Sequence, residues 1–313
     1  MEIRSDKYKG AEAFILENIY LRVIVLKNFG AKVASIYNKK QNFEVLFQPV
    51  NNEYTVPLYG DSFEKYDTSG WDEAYPTIDK CLYPFETKHK GIEMPDHGEL
   101  WSIPWNFTVE EGKLKSWVAS PKFNYIFTRY IELRENTIHV EYEIKNIGDE
   151  NLYAIWTLHS LLACDQYSKL ILKNVHKVIN VHKSEVLGNV GTVHNYPMTK
   201  DVNGNNYSLD KINPVSCKKS EKFYVKGKLL KGEAGITLNK EKILLTINFP
   251  EKKIPYLGIW INEGGFKGEY NCAIEPANGF YDSVETAKRY NEIDKINPKG
   301  SNSWFLDITL KEI

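Results

Sequence analysis

The stretch that decides the fold is NYIFTRYIELRENTIHVEYEIKN, residues 124–146. From residue 137 to residue 146, apolar and polar side chains alternate strictly, which is typical of a β-strand with one buried face. The polar sequence Arg134-Glu135-Asn136 separates this segment from a similar one before it. The stretch therefore predicts an antiparallel β-hairpin.

The same strand pattern recurs along most of the chain, for example over residues 19–38 and 242–250. Residues 152–164, LYAIWTLHSLLAC, are apolar on both sides, which predicts a central strand covered on both faces. Only DSVETAKRYNEI, residues 282–293, predicts a helix, with Asp282 as the N-cap and Glu285 completing a capping box. Many strands and little helix predict an all-β protein, a large twisted antiparallel β-sandwich that forms one domain over residues 1–313.

Composition excludes several classes of function. The net charge of −1 gives no basic face for nucleic acid, and no apolar run is long enough for a membrane span. The first residues, MEIRSDKYKG, lack the apolar core of a secretory signal. The four cysteines have no CxxC spacing and predict neither a zinc site nor a disulfide framework. We therefore expect a soluble cytoplasmic protein, and residues 184–222, rich in Gly, Asn, Ser and Lys, to form loops with short strands.

Three residues are candidates for proton transfer, and the first is His97. It lies in PDHGELWSIPW, residues 95–105, where Pro95, Gly98 and Pro104 predict a rigid loop. Histidine titrates near neutral pH, so it can donate or accept protons in cells. The alternative is an ordinary hydrogen-bonded histidine in a turn.

His159 and Glu275 are the other two candidates. Alternation places His159 on one face with Tyr153, Ile155 and Thr157, either as a hydrogen-bonded core histidine or beside a cleft. Glu275 shares a strand face with Asn271 and Ala273, and Pro276 is expected to turn the chain out of the strand directly afterwards. The alternative for Glu275 is a surface carboxylate at a strand end.

Other kinds of site have little support. His97, Glu99 and His159 are residue types that bind metals, but no HxH or HExxH spacing occurs, and we predict no metal and no cofactor. Neither Ser-His-Asp spacing nor a phosphate-binding glycine loop is present.

Three motifs in order, PDHGELWS, WTLHSLL and CAIEPANGFYDS, resemble those of the aldose 1-epimerase (galactose mutarotase) family. The closing NPKGSNSWFLDITL also resembles the end of that family, and the resemblance covers nearly the whole chain from residue 28 onward. It implies a β-sandwich with a sugar in an open cleft on one sheet. It further implies that Glu275 is the general base and His159 the general acid. His97 would bind the sugar and polarise its ring oxygen, and the reaction would need no cofactor.

The sequence departs from the family where an Asn-Arg pair is expected ahead of the first histidine. The corresponding stretch is SGWDEAYPTID, residues 69–79, and no arginine occurs between Arg22 and Arg129. We interpret the chain as a monomer or homodimer that binds a small-molecule carbohydrate substrate. Its set of sugar contacts differs from that of the family. The residues predicted to contact the sugar are Trp71, Asp72, Glu73, Glu99 and Trp260.

Two alternatives stay open. A sugar-phosphate epimerase would need cations for the phosphate, and these could come from Lys218, Lys219, Lys222, Lys226 and Lys228, although a solvated lysine-rich loop explains them equally well. A carbohydrate-binding protein without turnover would keep the cleft but would have no need of Glu275.

Overall fold

Almost all of the regular structure consists of β-strands. The structure, a computed structural model, describes all 313 residues. The strands of the first half of the chain are β1 (Glu2–Tyr8), β2 (Ala11–Glu17), β3 (Leu21–Leu26), β4 (Val33–Asn38), β5 (Phe43–Glu44), β6 (Trp71–Ala74), β7 (Cys81–Leu82), β8 (Glu93–Met94), β9 (Asn106–Glu110), β10 (Lys113–Ala119), β11 (Tyr125–Arg134), β12 (Thr137–Asn146) and β13 (Leu152–Ala154). Those of the second half are β14 (Thr157–Leu162), β15 (Leu170–Leu172), β16 (Lys177–Asn180), β17 (Val193–Asn195), β18 (Met198–Lys200), β19 (Asn206–Ser208), β20 (Lys219–Val225), β21 (Glu233–Leu238), β22 (Ile243–Asn248), β23 (Tyr256–Glu263), β24 (Tyr270–Ala277), β25 (Asp294–Ile296) and β26 (Ser301–Glu312).

The hairpin predicted from residues 124–146 is confirmed. Strands β11 and β12 pair from Arg134↔Thr137 to Tyr125↔Asn146, and Glu135 makes the turn with a φ of 52°. The two strands lie inside an eight-stranded sheet with the order β15-β21-β22-β26-β12-β11-β10-β9. Residues 124–146 therefore form two inner strands of one layer of the sandwich.

The second layer is a twelve-stranded sheet with the order β1-β2-β3-β4-β6-β14-β24-β23-β20-β16-β17, and β5 pairs with β4. Pairing between neighbouring strands is antiparallel in both sheets. A cluster of 62 buried apolar residues contains side chains from both sheets. The predicted all-β antiparallel sandwich is confirmed.

The two faces of the twelve-stranded sheet differ in chemistry. On β24, Cys272 and Ile274 belong to the buried apolar cluster. Because successive side chains of a strand point to opposite faces, Asn271 and Glu275 lie on the other side, which we call the outer face. This alternation brings polar side chains of several neighbouring strands together on one surface.

The prediction of one central strand over residues 152–164 is wrong in one respect, because the segment forms two strands. Strand β13 pairs with β25 in a small separate sheet, and β14 lies between β6 and β24. The break occurs where the Ile155 amide donates to the Pro76 carbonyl and the Trp156 amide donates to the Asn278 side chain, at 2.8 and 2.6 Å. Because the amides of Ile155 and Trp156 are used in these bonds, they cannot donate to a neighbouring strand, and the strand is interrupted. His159 lies in β14, all of whose residues are buried, as predicted for a covered strand.

Strand β24 continues through Pro276, contrary to the prediction that the chain leaves the strand there. The neighbouring residues carry the pairing with β23, through Gly258↔Glu275 and Tyr256↔Ala277. Glu275 therefore lies well inside a strand, with a buried side chain, which excludes the surface alternative.

The single α-helix, α1 (Val284–Tyr290), forms where it is predicted but has a different cap. Ser283 is the N-cap, and its hydroxyl accepts from the Thr286 amide at 3.2 Å. Asp282, the predicted cap, instead accepts from the Tyr224 hydroxyl at 2.8 Å. No helix of this chain has the length and apolar character to cross a membrane.

Candidate active site

A cavity of about 740 Å³ opens on the outer face of the twelve-stranded sheet. Its floor consists of side chains from β14, β20, β23 and β24, which are neighbours in the sheet. Its rim consists of residues 60–65, 68, 78–80 and 96–97, which lie outside the sheet. A volume of this size is in the range of small-molecule sites.

Glu275 lies at the floor of this cavity. Its cross-strand neighbour is Gly258, and a Cβ atom there would lie 2.9 Å from the Glu275 carboxylate, so glycine leaves the carboxylate its space. Neither carboxylate oxygen accepts a hydrogen bond, although the side chain is fully buried. Burial raises the pKa of Glu275, and the ammonium of Lys222 partly opposes this effect.

His159 lies beside Glu275, on the adjacent strand β14. Its Nε2 atom is 3.9 Å from Glu275 Oε1, and its Nδ1 atom has no hydrogen-bond partner. Burial lowers the pKa of His159 well below its usual value, and the charges of His97 and Lys222 act in the same direction. The predicted alternative of a hydrogen-bonded core histidine does not fit, because the imidazole has free nitrogen atoms next to a cavity.

His97 completes the group from a loop that precedes the 3-10 helix at Leu100–Ser102. Its backbone is left-handed, with a φ of 55°, which is uncommon for a residue other than glycine. Its Nδ1 atom is 2.9 Å from Asp96 Oδ1. Its ring stacks on Phe63 at a centroid distance of 4.4 Å and meets the His159 ring edge-on at 4.8 Å. The three predicted proton-transfer residues therefore lie around one space.

Lys222 is the main site residue that the sequence interpretation assigned incorrectly. The sequence leaves it open as a phosphate-binding cation or as part of a solvated lysine-rich loop, whereas it lies in β20 and is buried. Its Nζ atom is 3.3 Å from Glu275 Oε2 and 3.0 Å from Asp282 Oδ2. Burial alone would lower the pKa of Lys222, but the two carboxylates raise it overall, so the side chain is an ammonium. The signal available in the sequence was the apolar run Phe223-Tyr224-Val225 directly after it, which is typical of a strand.

One group of side chains at the edge of the cavity has metal-ligand chemistry. Single ligand atoms of Asp79, His182 and Asp282 lie within 4.8 Å of one another. Asp282, however, is already paired with the ammonium of Lys222 at 3.0 Å, which repels a second cation. The set considered from sequence, His97, Glu99 and His159, does not meet at a point, because Glu99 is not among the residues that line the cavity.

Trp260 is the one predicted sugar-contact residue whose side chain lines the cavity. It lies on β23, and its Nε1 atom donates to Asn271 Oδ1 at 3.3 Å. An indole ring on the floor of a polar cavity can contact the apolar face of a sugar ring.

The other four predicted sugar-contact residues lie inside the protein, and their placement corrects that part of the interpretation. Trp71 and Glu73 point between the sheets, where Glu73 binds the guanidinium of Arg129. Asp72 is opposite His159 in the sheet but is covered and paired with Lys32, and burial raises its pKa to about 6. Glu99 is buried.

The hydrogen bonds of Glu99 explain why it is unavailable to a ligand. Its carboxylate accepts from the hydroxyls of Tyr59, Ser120 and Tyr125 at 2.6–2.7 Å. These bonds join the loop before the cavity to the eight-stranded sheet. Asp72, Glu73 and Glu99 each bind partners that are distant in sequence, and local patterns do not reveal such contacts.

The arrangement can move protons between two oxygen atoms of one ligand. Glu275 and His159 present atoms without hydrogen-bond partners to the same space. One of these two groups can therefore accept a proton while the other donates one. The neighbouring ammonium of Lys222 compensates the negative charge of the carboxylate. No bound ion is required for this chemistry.

No protein-family model matches the sequence, and no curated protein matches it either. Solved structures do match over the whole chain. They include a galactose mutarotase related enzyme from Lactobacillus acidophilus (TM-score 0.66, 13% identity, covering 96% of this chain and 97% of that one). A galactose mutarotase-like protein from Clostridium acetobutylicum matches with a TM-score of 0.66 and 12% identity, covering 100% and 99% of the two chains. A galactose mutarotase-like protein from Lactobacillus casei matches with a TM-score of 0.64 and 15% identity, covering 96% and 100%. At such identities the matches show the fold, which is the one that the sequence resemblance implied.

Proposed function

We propose that this chain, which has the galactose mutarotase-like fold, is an isomerase that interconverts the anomers of an aldose by opening and closing the sugar ring. The observation that carries the proposal is the convergence of Glu275 and His159, 3.9 Å apart, with free polar atoms at the floor of one cavity. The names of the structural neighbours support the same class of activity.

The reaction needs two proton transfers and no redox step. Glu275 removes the proton of the C1 hydroxyl while His159, in the protonated form that its lowered pKa makes the minor one near neutral pH, gives a proton to the ring oxygen, and the C1–O5 bond breaks. The resulting aldehyde rotates about the C1–C2 bond. The same two groups then act in reverse as O5 attacks the other face of C1. Each positioned proton transfer contributes about 10²- to 10⁴-fold in rate.

The environment of the two groups suits this exchange. Burial raises the pKa of Glu275, which makes its carboxylate a stronger base, and lowers the pKa of His159, which makes its protonated form a stronger acid. His97, fixed by Asp96 and Phe63, is placed to bind a sugar oxygen beside His159.

The charges around the cavity favour a neutral sugar over a phosphorylated one. Each lysine that lines the cavity is paired with a carboxylate: Lys65 with Asp61 at 3.0 Å, Lys80 with Glu93 at 2.9 Å, and Lys222 with Glu275 and Asp282. A phosphate would have to break one of these pairs, since it needs cationic donors of its own.

Polarimetry of Glu275→Gln tests the proposal. The amide keeps the shape of the side chain but removes the base, so we expect the mutarotation rate to fall at least 100-fold. The matched control is Glu64→Gln at the rim of the same cavity, which removes an equal charge and should leave the rate within about twofold. Equal rates for wild type and Glu275→Gln on a panel of aldoses would exclude the activity.

A carbohydrate-binding protein without turnover is the second candidate. The observation that favours it is the ion pair of Glu275 with Lys222, since an adjacent ammonium stabilises the ionised carboxylate and weakens it as a base. Sugar binding by calorimetry together with no increase over the spontaneous mutarotation rate would identify this case.

A further inference from the structure

We propose that Asp282 is a positioning residue for the proposed reaction, because it binds the buried ammonium of Lys222 and so weakens the ion pair of that ammonium with Glu275. This inference rests on the proposed function, in which Glu275 is the general base. Lys222 and Glu275 line the cavity, whereas Asp282 does not. Asp282 therefore acts on the reaction through Lys222 and not by contact with the sugar.

The three side chains form one line of contacts beneath the cavity. Lys222 Nζ lies 3.0 Å from Asp282 Oδ2 and 3.3 Å from Glu275 Oε2. The exposed fractions of the side chains of Lys222, Asp282 and Glu275 are 7%, 4% and 1%, so salt and water screen these contacts only weakly. One ammonium is thus shared between two carboxylates, and its shorter contact is the one with Asp282.

Further hydrogen bonds fix the position of Asp282. Tyr224, which lies two residues after Lys222 on β20, donates its hydroxyl to Asp282 Oδ1 at 2.8 Å. The backbone carbonyl of Asp282 accepts from the amides of Ile78 and Asp79 at 2.9 and 2.7 Å. One carboxylate oxygen is therefore used by Tyr224 and the other is directed at Lys222.

Sharing the ammonium keeps Glu275 useful as a base. An ammonium beside a carboxylate stabilises its ionised form and so makes it a weaker base. Burial raises the pKa of Glu275, the ammonium of Lys222 lowers it, and the carboxylate of Asp282 raises it again. If Asp282 were absent, the attraction of Lys222 would act on Glu275 alone. Asp282 thus explains how Glu275 can have a lysine partner and still accept a proton.

Other titratable groups surround these three side chains, and they are His97, His159, Asp79, His182 and the hydroxyl of Tyr224. Asp79 and His182 are exposed, so water and salt screen their charges. Burial lowers the pKa of His159, and the charges of His97 and Lys222 act in the same direction. A change of charge at Lys222 or Asp282 therefore moves the pKa values of Glu275 and His159 in the same direction.

The pH profile of kcat/KM for mutarotation tests the inference. Asp282→Asn keeps the size of the side chain and can still accept from Tyr224, but it leaves Lys222 paired with Glu275 alone. Loss of a negative charge lowers the pKa of both proton-transfer groups, so we expect the pH optimum to fall by about one unit. The rate at the optimum should also fall, because the carboxylate becomes a weaker base.

Lys222→Gln should give the opposite result. It removes the positive charge, so the pKa of both proton-transfer groups rises and the pH optimum moves upward. A residue with a merely structural role would lower the rate in either variant without moving the optimum. Opposite shifts in Asp282→Asn and Lys222→Gln would therefore support the inference, and shifts in one direction or no shift in Asp282→Asn would overturn it.

Asp67→Asn is the matched control. Lys32 is a second buried lysine between two carboxylates, 3.2 Å from Asp67 and 2.5 Å from Asp72, and Asp67 does not line the cavity. This variant should lose stability but keep its pH optimum close to that of the wild type. A shift as large as that of Asp282→Asn would overturn the inference. If Lys222→Gln does not fold, the comparison of Asp282→Asn with Asp67→Asn decides alone.

Carbon-13 NMR separates failure of this inference from failure of the proposed function. The titration midpoint of the Glu275 carboxyl, assigned by its loss in Glu275→Gln, can be measured without any turnover. If no sugar is turned over, a midpoint that falls in Asp282→Asn and stays unchanged in Asp67→Asn would still support the coupling through Lys222. An unchanged midpoint in Asp282→Asn would overturn it, even in an active mutarotase.

Discussion

His159 and Glu275 are both buried, where polar groups usually have hydrogen-bond partners, yet His159 Nδ1 has no partner and the Glu275 carboxylate has only the ammonium of Lys222 at 3.3 Å. Such groups cost free energy, because burial opposes the charged form of each. At the scale of single residues, both side chains therefore keep hydrogen-bonding capacity for a polar ligand.

The lowered pKa of His159 predicts a pH dependence of stability. The folded protein keeps His159 neutral while the unfolded chain takes up a proton below pH 6.5, so stability is lost as pH falls through that value, at up to about 1.4 kcal/mol per pH unit. Between pH 8 and pH 5, wild type should lose more stability than His159→Gln in urea unfolding, by up to about 2 kcal/mol. Parallel pH profiles for the two proteins would contradict this assignment.

The sequence identified candidate proton-transfer residues, but it did not reveal their surroundings. His97, His159 and Glu275 are candidates because short motifs around them resemble a known family. Lys222 was missed as a site residue because its role depends on carboxylates 53 and 60 positions further along the chain, and no local pattern reports such a contact.

At the scale of elements, the loop with His97 shows how a strained turn places one ring. His97 and Gly98 both have positive φ, of 55° and 74°. The loop is fixed by the backbone bond from the Glu99 amide to the Tyr75 carbonyl at 2.7 Å. The rigid loop predicted from residues 95–105 fits this geometry.

Gly98→Ala tests the loop. A Cβ atom at Gly98 would lie 2.1 Å from the Tyr75 carbonyl oxygen, so the loop must move and carry His97 with it. We expect a loss of stability of more than about 1 kcal/mol and a lower kcat/KM. Gly91→Ala is the control, because Gly91 also has positive φ but open space around it. It should lose stability only through strain and keep its activity, and similar effects of the two variants would contradict the steric explanation.

Elements were predicted well where one physical pattern decided them. Alternation identified the β11–β12 hairpin, because a half-buried strand must alternate. The break between β13 and β14 was missed because it depends on the side chain of Asn278, more than a hundred residues away. The N-cap of α1 is Ser283, one residue later than predicted, because the Asp282 carboxylate accepts a hydrogen bond from the Tyr224 hydroxyl instead.

At the scale of the whole molecule, a buried ion pair joins the two sheets behind the site. Arg129 of β11 donates to Glu73 of β6 at 2.9 Å, and neither side chain is exposed. Glu73 also accepts from the indoles of Trp71 and Trp156 and from the hydroxyl of Tyr142. Glu73 is the neighbour of Leu158 in the pairing of β6 with β14, so the pair lies directly beneath the strand of His159.

Removing one member of this pair should be costly. Arg129→Met leaves the Glu73 carboxylate buried without its cation, and we expect a loss of about 3–5 kcal/mol in urea unfolding. The double variant with Glu73→Gln should lose less than the sum of the two single variants. Arg4→Met breaks a partly exposed pair of the same 2.9 Å distance and should change little. Additive losses in the double variant would show that the two residues act independently.

The single domain predicted for residues 1–313 remains a prediction. It is supported by the one large apolar cluster, which contains residues from Leu16 to Leu310. An independent unit would need a core of its own.

The division between the sheet floor and the loop rim of the cavity has an evolutionary consequence. Insertions and substitutions are tolerated more readily in loops than in central strands. His159, Lys222 and Glu275 lie on central strands, whereas residues 60–65 and 78–80 lie outside the sheet. The ligand preference of this scaffold can therefore change through its surface loops, while His159, Lys222 and Glu275 keep their positions on the central strands.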